Sequence, residues 1–209
     1  MIELVIFDAD GVLFDSDQSN VAYYNAIFSR IGESPMTVEE ERACVYQAAS
    51  GVFESRARGN RAVVRRMNEI AESLDYTPFL KLLRPPLELR PFLMELKRRY
   101  RLALATNRSV TVPSMIEFLN LAGVFDAVAC ALDKVRPKPA PDILTLCLAR
   151  AGTVSDRAVY VGDSDIDHVA AAAAGTHFIG IGDRLEHPQR VPMLRDLPAA
   201  LERLTSGDE

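Results

Sequence analysis

Apolar and polar positions follow two different rhythms along this chain. From Leu87 onward, short apolar runs of strand length, Arg101–Thr106, Phe125–Cys130, Ala158–Val161 and His177–Ile181, alternate with stretches of helical spacing at Leu87–Arg99, Val112–Leu121, Pro141–Ala151 and Asp167–Ala174. One further strand stands alone at the start, where the β-branched and apolar run Ile2–Phe7 ends in Asp8-Ala9-Asp10-Gly11. Between these lies a segment with helices and no convincing strand. Val21, Tyr24, Ile27 and Ile31 share one helical face before Gly32. Thr37 with Glu40 reads as a capping box opening a helix over Val38–Ala49, Val63, Met67, Ile70 and Leu74 mark a third helix, and Thr77-Pro78 opens a short fourth that stops before Pro85-Pro86. Alternating strands and helices predict an α/β fold with a parallel sheet covered on both faces, and they place sites at the C-terminal ends of the strands. The expected division is residues 1–14 and 87–209 as the core, with 15–86 as an all-helical insertion after the first strand.

Polar residues at the strand ends suggest where chemistry sits. In a strand Asp8 and Asp10 point the same way, and two like charges held so close need a cation or a shared proton. A second strand ends in Thr106-Asn107 and a third in Gly162-Asp163, with Asp167 four residues later. Lys138 is held between prolines in Arg136-Pro137-Lys138-Pro139-Ala140-Pro141. Each feature alone is common in turns and helix caps.

Composition narrows the partners. A formal net charge of −5 and a pI near 5.3 argue against nucleic acid or an anionic membrane surface as partner. Ile2–Phe7 is too short for the apolar part of a signal peptide, and no stretch approaches a membrane span, so a cytoplasmic location is expected. Cys44, Cys130 and Cys147 lie far apart without paired or metal-site spacing, which favours reduced thiols. The three histidines are equally scattered, so any metal is expected to take oxygen ligands.

Taken in order, Asp8-x-Asp10-Gly11-Val12, Thr106-Asn107, Lys138 among its prolines and Gly162-Asp163-Ser164-Asp165-Ile166-Asp167 resemble the successive motifs of the haloacid dehalogenase-like hydrolase superfamily. Phe125-Asp126 and Ala174-Gly175 extend the likeness over the whole core, while the insertion matches only in position and helical character. Ala9 departs from the larger aliphatic residue common between the two acids, and Asp165 is an added carboxylate. The resemblance implies a Rossmann-like three-layer core, a helical cap and a Mg²⁺-dependent phosphatase acting on a small phosphorylated metabolite, similar to phosphoglycolate phosphatase, as a monomer or homodimer. It implies Asp8 as nucleophile and metal ligand, the Asp10 carbonyl and Asp163 as further ligands, and Asp167 in support. The Asp10 side chain would be the proton donor and acceptor, and Thr106, Asn107 and Lys138 would hold the phosphoryl oxygens.

Two alternatives use the same residues. A phosphomutase similar to β-phosphoglucomutase differs in how the cap excludes water. A non-catalytic binding module would be expected to have lost a catalytic group, and none is missing. A dehalogenase leaves Asp10 without a task, and a phosphonatase needs a cap lysine, whereas the first lysine here is Lys81. Within the insertion, five arginines fall between Glu54 and Arg66. Arg65 is expected to pair with Glu69, and Arg56 or Arg58, beside Gly59, is the candidate for a second anionic group on the substrate.

Overall fold

The computed structural model describes residues 1–44 and 47–206. Its centre is β1 (Leu4–Phe7), whose four residues are all buried. Four more parallel strands of four to six residues flank it: β2 (Arg101–Thr106), β3 (Ala127–Cys130), β4 (Ala158–Gly162) and β5 (His177–Ile181). The two-residue β6 (Arg190–Val191) closes the edge, giving the order β3-β2-β1-β4-β5-β6, parallel throughout. Phe7 lies beside Leu104 on one side and Val161 on the other, so the ends of β1, β2 and β4 form one rim.

Alternation along the strands sends side chains to two cores. Leu4, Ile6, Ala103, Ala105 and Tyr160 pack with Ile143, Leu144 and Cys147 of α8 (Asp142–Ala151) and Ala170 and Ala171 of α9 (Asp165–Ala174). Val5, Phe7, Leu102, Leu104, Val159 and Val161 face Leu93 of α6 (Leu89–Lys97), Met115 of α7 (Val112–Phe118) and Leu201 of α10 (Leu197–Ser206). The result is the expected three-layer α/β arrangement. All three cysteines are buried free thiols.

The second core continues into five helices between β1 and α6: α1 (Asp17–Arg30), α2 (Val38–Cys44), α3 (Ala49–Ala57), α4 (Arg61–Ser73) and α5 (Thr77–Leu80). The Thr37–Glu40 capping box forms in both directions, at 2.8 and 3.3 Å. The predicted helix over Val38–Ala49 is nevertheless two elements: α2 stops at Cys44, Val45 and Tyr46 lie outside the described residues, and α3 runs on to Ala57. Where the chain enters and leaves this block, Asp15 and Arg84 exchange both backbone hydrogen bonds, at 3.1 and 2.9 Å. The two connections are thereby tied to each other. Among the described residues no helix is long and apolar enough to cross a membrane.

Candidate active site

The rim of β1, β2 and β4 gathers Asp8, Asp10, Thr106, Lys138, Asp163 and Asp167, all buried except the half-buried Asp10. The Asp8 N–H bonds the Val161 carbonyl at 2.9 Å, which fixes the backbone as β1 ends. Gly11 then takes φ +72°, and a Cβ there would overlap the Asp163 carboxylate. Only glycine meets both demands, the positive φ and the close approach of the two acidic loops.

Lys138 Nζ stands at the centre, 2.8 Å from Asp8 Oδ1, 2.7 Å from Asp167 Oδ1 and 2.7 Å from the Tyr160 hydroxyl. Burial works against its charge, but the Asp167 and Asp8 carboxylates outweigh burial and hold the ammonium protonated, its pKa above the ordinary lysine value. Asn107 sets the lysine's backbone, accepting from Lys138 N at 2.8 Å and donating to its carbonyl at 3.1 Å. These bonds let Asn107 position Lys138, and among the described residues its second Nδ2 hydrogen stays free at the cavity that it lines.

Asp167 is saturated by the protein. Its Oδ1 accepts from Lys138 and from Tyr160 (2.9 Å), and its Oδ2 accepts from the Ser164 hydroxyl and N–H (2.5 and 3.2 Å). Ser164 and Asp167 form the capping box of α9, which begins at Asp165, two residues ahead of the predicted start. Asp167 is thus a support behind the site. The Asp8, Asp163 and Asp167 carboxylates offer oxygens within 4.8 Å of one another. Burial, joined by the neighbouring acids, raises Asp8 to about 8 against the pull of Lys138. Burial and Asp167 raise Asp163 to about 7, against Arg184 and Lys138. Buried carboxylates this close suit a hard divalent cation, and with Asp167 engaged by the protein, Asp8 and Asp163 keep carboxylate oxygens that could hold one.

Two residues that sequence reasoning missed complete the site. Tyr160, buried on β4, carries the hydroxyl that Lys138 and Asp167 share. Arg108, directly after Thr106-Asn107, grips Asp10 with Nε–Oδ2 and Nη2–Oδ1 contacts of 2.7 Å each. Burial alone would raise the Asp10 pKa. The Arg108 charge and hydrogen bonds from Arg108, Ser16 and Asn20 override it, and Asp10 sits below the usual carboxylate range. Neither residue belongs to a local spacing pattern; an arginine next to a strand-end Thr-Asn was the one available signal.

Above the rim lies a cavity of about 310 Å³. The core supplies its floor, and the helical block supplies Tyr23, Tyr24, Phe53, Ala71 and Tyr76. Its lining cations, Lys138, Arg108 and Lys134, come from the core. Arg56 and Arg58 do not reach it. Arg56 binds Glu40 at 2.7 and 2.8 Å, bonds Ser34 and lies 4.7 Å over the Phe28 ring, joining α3 to the turn after α1. Arg58 is the exposed C-cap of α3 in the left-handed region, φ +48°. The expected Arg65–Glu69 pair is replaced by Arg66–Glu69 at 3.1 Å.

Residues 5–181 match the family model described as haloacid dehalogenase-like hydrolase. A phosphoglycolate phosphatase of Agrobacterium fabrum is 30% identical over 192 residues, covering 85% of this chain and 79% of that protein. The pyrophosphatase PpaX of Bacillus velezensis is 24% identical, covering 86% and 83%. Among solved structures, a HAD-superfamily hydrolase of subfamily IA, variant 1, from Geobacter sulfurreducens superposes with a TM-score of 0.74 at 29% identity, over 96% of each chain.

Proposed function

Because the chain belongs to the haloacid dehalogenase-like hydrolases, we propose that it is a Mg²⁺-dependent phosphatase that transfers the phosphoryl group of a small metabolite to Asp8 and then to water. The observation that carries this reading is the Lys138 ammonium, fixed 2.8 Å from Asp8 at a buried rim shared with Asp163 and Thr106. A phosphate monoester is a dianion, and beside a carboxylate at an effective dielectric of ~20 the repulsion costs several kcal/mol. Lys138 offsets part of that cost. When bound by Asp8, Asp163 and the Asp10 carbonyl, Mg²⁺ supplies the remaining neutralisation and orients the phosphate.

Within that frame each residue has one task. Asp8 is the nucleophile, and Lys138 and the Thr106 hydroxyl bind the transferring oxygens and stabilise their developing charge. Asp10, ionised beside Arg108 in the free enzyme, takes up a proton as the dianionic phosphate binds next to it, gives that proton to the leaving oxygen, and then takes one from the attacking water. Asn107, Tyr160 and Asp167 hold Lys138 in place. The helical block acts as the cap, with Tyr23, Tyr24, Phe53 and Tyr76 lining its side of the cavity. Relatives of comparable similarity carry names with different substrates, phosphoglycolate and pyrophosphate among them. The substrate class supported here is therefore a small phosphate ester sized to a 310 Å³ cavity whose lining cations come from the core. Turnover of p-nitrophenyl phosphate with Mg²⁺ and with excess chelator tests the activity, and phosphate release across a panel of phosphorylated metabolites tests the class. Activity that persists in chelator contradicts the reading.

A further inference from the structure

We propose that Arg108 is the positioning residue for Asp10, and that it carries the seating of the helical insertion to that carboxylate. The inference rests on the reading of Asp10 as the proton donor and acceptor. Arg108 lies in the loop after β2, with its side chain only 8% exposed. It has five N–H donors, and each has an acceptor. Nε and one Nη2 hydrogen hold the two Asp10 oxygens, Nη2 also reaches Asn20 Oδ1 at 3.0 Å, and Nη1 reaches the Tyr76 hydroxyl at 2.6 Å and Thr111 Oγ1 at 3.4 Å. The Phe14 and Tyr76 rings flank the guanidinium, with centroids 5.5 and 5.8 Å from its carbon.

These partners divide between the two parts of the molecule. Asp10 and Thr111 belong to the core, whereas Asn20 is on α1 and Tyr76 stands before α5. Tyr76 is itself tied into the insertion, its hydroxyl 3.2 Å from Ser19 Oγ, which donates to the Phe79 carbonyl at 3.0 Å. A planar fork with every donor occupied fixes the plane of the carboxylate it holds. From the insertion itself Asp10 accepts single hydrogen bonds, one from Ser16 and a long one of 3.4 Å from Asn20 Nδ2. Arg108 is the two-pronged, charged link, and with the insertion lifted away it loses two of its acceptors and a flanking ring. Saturation also argues against Arg108 as a reader of a second substrate anion, because no N–H is left to offer.

The test compares kcat and KM for phenyl phosphate, whose leaving group needs a proton, and p-nitrophenyl phosphate, whose leaving group needs little help. The variants are Arg108→Ala, Tyr76→Phe, Asp10→Asn and the double variant Asp10→Asn/Arg108→Ala. A misplaced proton donor costs on the order of 10²-fold, so Arg108→Ala should lower kcat for phenyl phosphate by about that factor. KM should stay within about threefold, and the loss on p-nitrophenyl phosphate should be smaller. In the Asp10→Asn background the same substitution should cost nothing more, since the carboxylate it positions is gone. Tyr76→Phe, which removes one hydroxyl and leaves the ring, should reproduce the pattern at roughly 3- to 10-fold, and it keeps the test available if Arg108→Ala does not fold. An equal loss from Arg108→Ala with and without Asp10, or a raised KM with kcat intact, overturns the proposal. Full activity in Asp10→Asn instead overturns the reading of Asp10 on which it rests.

Discussion

Lys138 has three acceptors around one ammonium group, and the group stays charged because two of them are carboxylates. Tyr160 is the neutral third, buried against the sheet with no water to replace it. Tyr160→Phe keeps the packing and deletes the hydroxyl, which should cost about 1 to 2 kcal/mol in denaturant unfolding and lower kcat without loss of the fold. An unchanged kcat would remove Tyr160 from the set that positions Lys138. Arg56 makes the opposite case. Its contacts to Glu40, Ser34 and Phe28 serve the insertion, so Arg56→Ala should cost about 1 to 2 kcal/mol of stability and leave KM for any turned-over phosphate unchanged. A raised KM would return it to substrate recognition. Asp8, Asp10, Thr106, Asp163 and Asp167 could be picked out from the sequence because each sits at or near a strand end, and Lys138 because prolines flank it, all in a recognisable order. Arg108 and Tyr160 could not, since their roles depend on partners 98 and 22 residues away.

At the scale of elements, the ends of β1 and β4 bring Asp8 and Asp163 together. Their pKa values rise from the ordinary 3.8 to about 8 and about 7. The folded protein therefore binds more protons than the unfolded chain across that window. By linkage, its stability without a divalent cation falls as pH rises from about 4 to 8. A cation held by ionised carboxylates competes with those protons, so the Mg²⁺-induced rise in Tm should be larger near pH 8 than near pH 5. Melting curves at the two pH values with and without Mg²⁺ check this, and a shift independent of pH would contradict the assignment of ligands. The core strands and their helices were legible because each carries a run of its own period. The split between α2 and α3, the two-residue β6 and α10 were not read from the pattern. β6 is too short for any periodicity, and α3 has scarcely any apolar stripe, with Val52, Phe53 and Ala57 as its buried residues.

For the whole molecule, the helical insertion and the core share one continuous apolar core, and Asp15 and Arg84 pair where the chain crosses between them. That pairing ties the two connections together at the point where the chain enters and leaves the helical insertion. The central claim is that Asp8 takes the phosphoryl group. It is tested most directly in Asp10→Asn, where p-nitrophenyl phosphate can still phosphorylate the enzyme because its leaving group needs no proton, while attack by water is slowed. Acid quench during turnover followed by intact-protein mass spectrometry and peptide mapping should find one added phosphoryl group on Asp8 with Mg²⁺, and none in excess chelator or in Asp8→Asn/Asp10→Asn. Phosphate release at the wild-type rate by Asp8→Asn, or an adduct mapped to another residue, would contradict the account.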